Sequence, residues 1–79
     1  MSTRAEHLIR LRADMQTIVE GALLADEIDV GISFTDERFI VLVVHPHDGH
    51  GKEHERAIPG WLATMGRFKD LHIVCQVTP

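Results

Sequence analysis

Six consecutive apolar residues, Phe39 to Val44, form the longest apolar run in this chain of 79 residues. The run is rich in β-branched side chains and shows no alternation, which is typical of a central strand that is covered on both faces. It is far too short for a membrane helix, which needs about 20 apolar residues. A chain of this size therefore has to supply, or to recruit, cover for both faces of a sheet.

The residues before this run predict a helix and a strand. Thr3 and Glu6 have the spacing of a capping box, and apolar residues then recur every three or four positions through residues 4–24. Residues 28–34 alternate apolar with polar or small side chains, which predicts a half-buried strand. The polar turn 35–38 is of hairpin length and joins this strand to the central one.

The residues after the run predict a second helix and a third strand. Pro46 ends the central strand because proline has no donor for the ladder, and the polar residues 45–55 favour a loop or a frayed helical turn. Apolar residues in 58–68 are spaced as in a helix, with Pro59 either in its first turn or inside a helix that begins earlier. Residues 71–77 alternate, as in a strand.

The predicted order is α-β-β-α-β, which makes residues 1–79 a single small α+β domain. A right-handed crossover places the third strand parallel to the central one, so we expect a three-stranded mixed sheet with the two helices packed on one face. Alternation divides the central strand into Phe39, Val41 and Val43 on one face and Ile40, Leu42 and Val44 on the other. Only one of these sets can meet the helices, and the other set, together with Val74, then lacks cover within the chain, unless one helix packs on each face. Because exposed apolar side chains favour burial, we expect a protein partner or a homodimer.

Composition and charge narrow the class of protein. Apolar residues make up 44% and charged residues 25% of the chain, as in ordinary globular proteins. The formal net charge of −4 argues against direct nucleic-acid binding, which needs a basic surface. The single cysteine cannot form an internal disulfide, and the first residues do not resemble a signal peptide. These features predict a cytoplasmic protein with no membrane association.

Four of the six histidines lie in one polar segment, residues 45–54. Imidazole and carboxylate groups are ligands for zinc and other divalent transition metals, and glycines allow a loop to fold around an ion. The segment is interpreted either as a metal site or as a solvent-exposed loop, and no other cofactor is expected. The candidate metal ligands are His45, His47, His50 and His54.

No set of residues predicts catalysis. Cys75 shares the apolar face of the third strand with Leu71, Ile73 and Val77, which predicts a buried thiol rather than a nucleophile. The paired acids are consecutive in sequence and flank turns, unlike the facing carboxylates of an acid–base dyad. The chain is therefore not expected to be an enzyme.

Acidic residues and one tryptophan are the candidate partner-binding residues. The acids lie around both ends of the first predicted strand, where carboxylates also discourage unwanted strand pairing. Trp61 is either a core residue or an interface anchor, since tryptophan is enriched at binding hot spots. The candidate contacts are Asp26, Glu27, Asp29, Asp36, Glu37 and Trp61.

The element order resembles that of type II KH domains and of ribosome-assembly factors with the same topology. Residues 57–62, with the sequence AIPGWL, lie where those proteins bend between two helices. The resemblance implies an RNA-binding domain. The chain lacks the Gly-x-x-Gly loop and the basic groove of those domains, so no RNA-contacting residue is carried over.

The interpretation that accounts for most of these features is a small acidic, non-catalytic protein-binding module that forms a homodimer. Such a module would be a regulator, inhibitor or assembly subunit, of the kind that phages and mobile elements direct at larger nucleic-acid-handling complexes. The alternatives are a KH-like RNA-binding domain and a metal-binding protein that uses residues 45–54. Salt-sensitive RNA binding would favour the first alternative, and metal in the purified protein would favour the second.

Overall fold

The computed structural model describes residues 3–79, and these form two α-helices, three strands and one short 3-10 helix. Thr3 caps the first helix, because its hydroxyl oxygen accepts a hydrogen bond from the Glu6 backbone N–H at 3.1 Å. The elements confirm the predicted α-β-β-α-β order and the α+β class. In chain order they are α1 (Arg4–Ala22), β1 (Ala25–Ser33), β2 (Arg38–Pro46), α2 (Gly51–Ala63), the 3-10 helix η1 (Gly66–Phe68) and β3 (His72–Thr78).

The three strands form one mixed sheet in the order β1-β2-β3. β1 pairs antiparallel with β2, with Val30 opposite Val41, and β3 pairs parallel with β2, with Cys75 opposite the same Val41. The apolar run therefore forms the central strand, as its composition predicts. The parallel pair follows from the crossover through α2.

Both helices pack on the same face of the sheet. On that face β2 contributes Phe39, Val41 and Val43, each at most 1% exposed. The helical periodicity of α1 and α2 directs their apolar side chains into the same cluster. The helical members of this single core are Leu8, Leu11, Met15, Val19, Ile58 and Leu62.

The first hairpin is longer than its apolar alternation predicts. Helix α1 ends at Ala22 rather than at residue 24, and β1 begins at Ala25 rather than at residue 28. The added strand residues pair with the end of β2, where Ala25 lies opposite Pro46. Asp26 and Glu27, which the sequence places before the strand, therefore lie within β1. Backbone pairing extends the strand there without any apolar signal.

Helix α2 begins and ends earlier than predicted. It starts at Gly51 and ends at Ala63, with Pro59 inside it, so residues 57–62 are helical throughout. Met65 is extended and ends the helical path, and Phe68 belongs to η1, although its side chain is fully buried. The spacing of residues 58–68 therefore reflects two elements that face one core. Neither α-helix of residues 3–79 is long and apolar enough to cross a membrane.

Candidate functional site

The sheet face opposite the helices is bare. Strand alternation places Ile40, Leu42 and Val44 of β2 and Val74 of β3 on this face, and we call these four residues the apolar strip. Leu42 is 40% exposed, and the other three are half-buried by their neighbours in the sheet. Because both helices pack on the opposite face, no element of the described chain covers the strip.

Polar side chains border the apolar strip on three sides. Acids of β1 follow one side, uncharged residues of β3 follow the other side, and two basic-type side chains lie at one end. In that order these residues are Glu27, Asp29, Gln76, Thr78, Arg38 and His72. An apolar centre with a polar rim is the usual composition of a protein–protein interface.

Arg38 is a feature of this face that the sequence did not single out. Its side chain is 38% exposed, and its Nη2 lies 3.8 Å from Oδ2 of Asp36 in the β1–β2 turn. Its Nε is buried and has no hydrogen-bond partner among residues 3–79. Because this side chain is partly exposed and its contact with Asp36 is long, the Nη groups at the end of the strip can bind a carboxylate that another chain supplies.

The structure separates the acids that the sequence grouped together. Glu27 and Asp29 lie on the bare face beside the apolar strip, whereas Asp26 belongs to the helix side of β1 by alternation. Glu37 in the turn accepts two hydrogen bonds from Arg4, at 3.1 and 2.7 Å, and Arg4 holds the pKa of this carboxyl below its ordinary value. Only two of the five candidate acids therefore border the strip.

Two of the candidate metal ligands bond to one carboxylate of β1. Nε2 of His47 lies 2.9 Å from Oδ1 of Asp26, and Nδ1 of His45 lies 2.9 Å from its Oδ2. These hydrogen bonds lower the pKa of Asp26 from its ordinary value. The pair connects the start of β1 to the segment that leaves β2.

The other two histidines belong to the start of α2. Asp48 accepts a hydrogen bond from the His50 backbone N–H at 2.9 Å, and its second oxygen lies 2.7 Å from Nε2 of His54. These contacts lower the pKa of Asp48. The four histidines thus form two separate groups, and within residues 3–79 no set of three or more such side chains is arranged to hold a metal ion.

Replacing all four histidines of this segment by Asn is expected to leave the fold intact. Single surface substitutions change stability by about 0.5 kcal/mol, so the total cost should stay near 2 kcal/mol. Asn also tolerates the left-handed conformation of His45, whose φ is 51°. Circular dichroism melting tests this, and loss of the native spectrum would contradict it. If zinc raises the melting temperature of the wild type alone, the segment binds metal.

Trp61 lies away from the bare face, on the helical side of the molecule. It is 39% exposed and lines a groove of about 210 Å³ between the end of α1 and α2. Leu23 and Ala57 line the same groove. The tryptophan is thus neither fully in the core nor close to the candidate acids, and it belongs to a separate apolar surface.

Fold and surface together define a small α+β domain with both helices on one sheet face and an apolar strip on the other. Comparison with protein-family models, with curated proteins and with solved structures gives no match. The basis for a function is therefore the surface of the molecule itself.

Proposed function

We propose that this chain is a small acidic, non-catalytic protein-binding module that forms a homodimer and acts as a regulator, inhibitor or assembly subunit. The observation that carries the proposal is the apolar strip on the bare sheet face. Fully burying a Leu, Ile or Val side chain is worth about 1.5–3 kcal/mol. Part of this free energy is still available for binding a partner, since Leu42 is 40% exposed and its neighbours are half-buried.

A second copy of the chain is a suitable occupant because the bare face is complementary to itself. In such a dimer a two-fold axis runs perpendicular to the strands, between the two bare faces, and the two apolar strips pack against each other. The axis places the Arg38 end of each sheet opposite the Glu27 end of the other sheet. Packed sheets lie about 10 Å apart, a distance that arginine and glutamate can bridge together. The partly exposed guanidinium of Arg38, whose Nη2 lies as far as 3.8 Å from Asp36, supports this pairing.

The chemistry of the only cysteine supports a binding role rather than a catalytic one. Burial, with a smaller contribution from Glu55, raises the pKa of Cys75 to about 11, so little thiolate forms near neutral pH. A free, buried thiol suits a reducing compartment, and we place the protein in the cytoplasm. Its net charge of −4 suits a basic target surface, such as that of a nucleic-acid-handling complex.

Light scattering at micromolar concentration is expected to give about twice the chain mass of 8.9 kDa. Arg38→Glu should weaken the dimer at least about tenfold because it places acids opposite each other, and adding Glu27→Arg to the same chain should restore it. Lys69→Glu makes the same change in net charge away from the strip and is the matched control. A monomer at every concentration would refute the homodimer. If the control weakens the dimer equally, net charge alone explains the effect of Arg38→Glu.

A further inference from the structure

The two edges of the sheet differ, and the β1 edge is sealed by side chains. Arg12 Nη1 donates to the Val30 carbonyl at 3.2 Å, and Gln16 Nε2 donates to the Ile28 carbonyl at 3.4 Å. The carboxylate of Asp29 accepts the Val30 N–H at 3.1 Å. Three outward peptide groups in the middle of β1 are therefore occupied, the Val30 N–H, the Val30 C=O and the Ile28 C=O, and another strand cannot add there without breaking these bonds.

The β3 edge is sealed only near the carboxyl end of the strand. The Val77 N–H donates to the Glu55 carboxylate at 2.9 Å, so alternation also directs the peptide groups of Ile73 and Cys75 away from β2. Among residues 3–79, no hydrogen bond engages the outward groups of these two residues.

The two edge strands also differ in charge. β1 carries Asp26, Glu27 and Asp29, and charges on an edge strand oppose the addition of another strand. β3, His72–Thr78, contains no Asp, Glu, Lys or Arg. An edge strand with free peptide groups and no charge is a template for strand pairing.

A cleft of about 520 Å³ lies at the carboxyl end of this edge, between β3 and the first turns of α2. Val77 and Glu55 line it together with His50, Lys52 and Glu53. The Glu53 carboxylate lies 3.4 Å from Nδ1 of His50, so Glu55 is the acid of the cleft that can receive a cation. One Glu55 oxygen holds the Val77 N–H, and the other oxygen can accept a hydrogen bond from a ligand. The open edge therefore leads to a pocket that favours a cationic side chain.

We propose that the β3 edge binds an extended, basic segment of a partner protein by strand addition. The main chain of the segment bonds to Ile73 and Cys75, and a Lys or Arg side chain enters the cleft beside Glu55. In this binding mode main-chain hydrogen bonds supply affinity and the pocket supplies specificity. The inference rests on the proposed function, since it names the partner of a protein-binding module, but it uses a different surface.

Two blocked octapeptides test the proposal, one alternating valine with lysine and one alternating valine with glutamate. On ¹⁵N-labelled protein the lysine peptide at millimolar concentration should slow amide exchange of Ile73 and Cys75. The amides of Val74 and Gln76, which face β2, should not change, and that of Val30 at the sealed edge is a further control. The glutamate peptide should bind at least about tenfold more weakly, a difference of about 1.4 kcal/mol.

Variants distinguish strand addition at the β3 edge from the proposed homodimer at the bare face. Glu55→Gln keeps an acceptor for Val77 but removes the charge, so it should weaken the lysine peptide about fivefold, whereas Glu20→Gln on α1 should not. The lysine peptide should also bind Leu42→Asp, whether or not the bare face forms a dimer. The proposal is overturned if the peptide leaves the Ile73 and Cys75 amides unchanged. It is also overturned if concentrating the protein alone protects them, because the occupant would then be a second copy.

Discussion

Replacing Val43 by Asp is expected to unfold the protein, whereas replacing the adjacent Leu42 by Asp is expected to leave it folded and monomeric. The two residues are neighbours in β2 but lie on opposite faces of the sheet. Val43 is 1% exposed and faces the helices, while Leu42 is 40% exposed and is the most exposed part of the apolar strip.

The physical reason is the different environment of the new carboxylate. At position 43 it would be buried without a partner, which costs several kcal/mol. A domain of this length has a total stability of about 4–12 kcal/mol, so this substitution removes much or all of it. At position 42 the carboxylate remains in water in the monomer, and it opposes only the burial of the strip in a dimer.

Circular dichroism and light scattering distinguish the outcomes. Val43→Asp should lose the native spectrum, and Leu42→Asp should keep that spectrum while its mass falls to that of one chain. Leu42→Asn is the matched control, since it is polar without charge and should weaken the dimer less. If both Asp variants remain folded and dimeric, the assignment of these residues to opposite faces is wrong.

Truncating Phe68 to Ala is expected to destabilise the protein by about 3–5 kcal/mol, because the ring is fully buried. This residue lies in η1, between α2 and β3, and its ring joins the core that both helices share. For a domain of this size the melting temperature should fall by at least about 12 °C. Thermal unfolding followed by circular dichroism measures the change.

Trp61→Ala is the matched control for this truncation. It deletes a larger side chain from the end of α2, but Trp61 is 39% exposed and forms one wall of an open groove. Its loss should lower the melting temperature by less than half as much as Phe68→Ala does. Equal effects would place Trp61 in the core and remove it from the candidate partner contacts.

Hydrophobic periodicity predicted the elements well because it is a local property of the chain. The steps of three and four in α1 and the unbroken apolar run of β2 depend only on neighbouring residues, and both elements form as expected. Element ends were less predictable. β1 begins before its first large apolar residue, since strand pairing opposite Pro46 extends it through Asp26 and Glu27.

The candidate site was only partly predictable, because local patterns do not show which distant residues meet in the folded chain. The alternation of β2 and the count of helices predict one uncovered apolar set on β2, and the structure shows that this set is Ile40, Leu42 and Val44. The five acids were grouped by sequence distance, but a strand directs adjacent residues to opposite faces, so Asp26 and Glu27 separate. The sequence did not predict a role for Arg38, because the environment of this side chain depends on residues of the neighbouring strands.

The sequence by itself determined the order of elements, the mixed sheet and the need to cover two faces of β2, because each follows from local patterns and the handedness of a crossover. Only the tertiary structure decided which sheet edge is open. The bonds that seal β1 join Arg12 to Val30 and Gln16 to Ile28, which are 18 and 12 positions apart. They form because α1 packs across β1, whereas the middle of β3 receives no such side chains from α2.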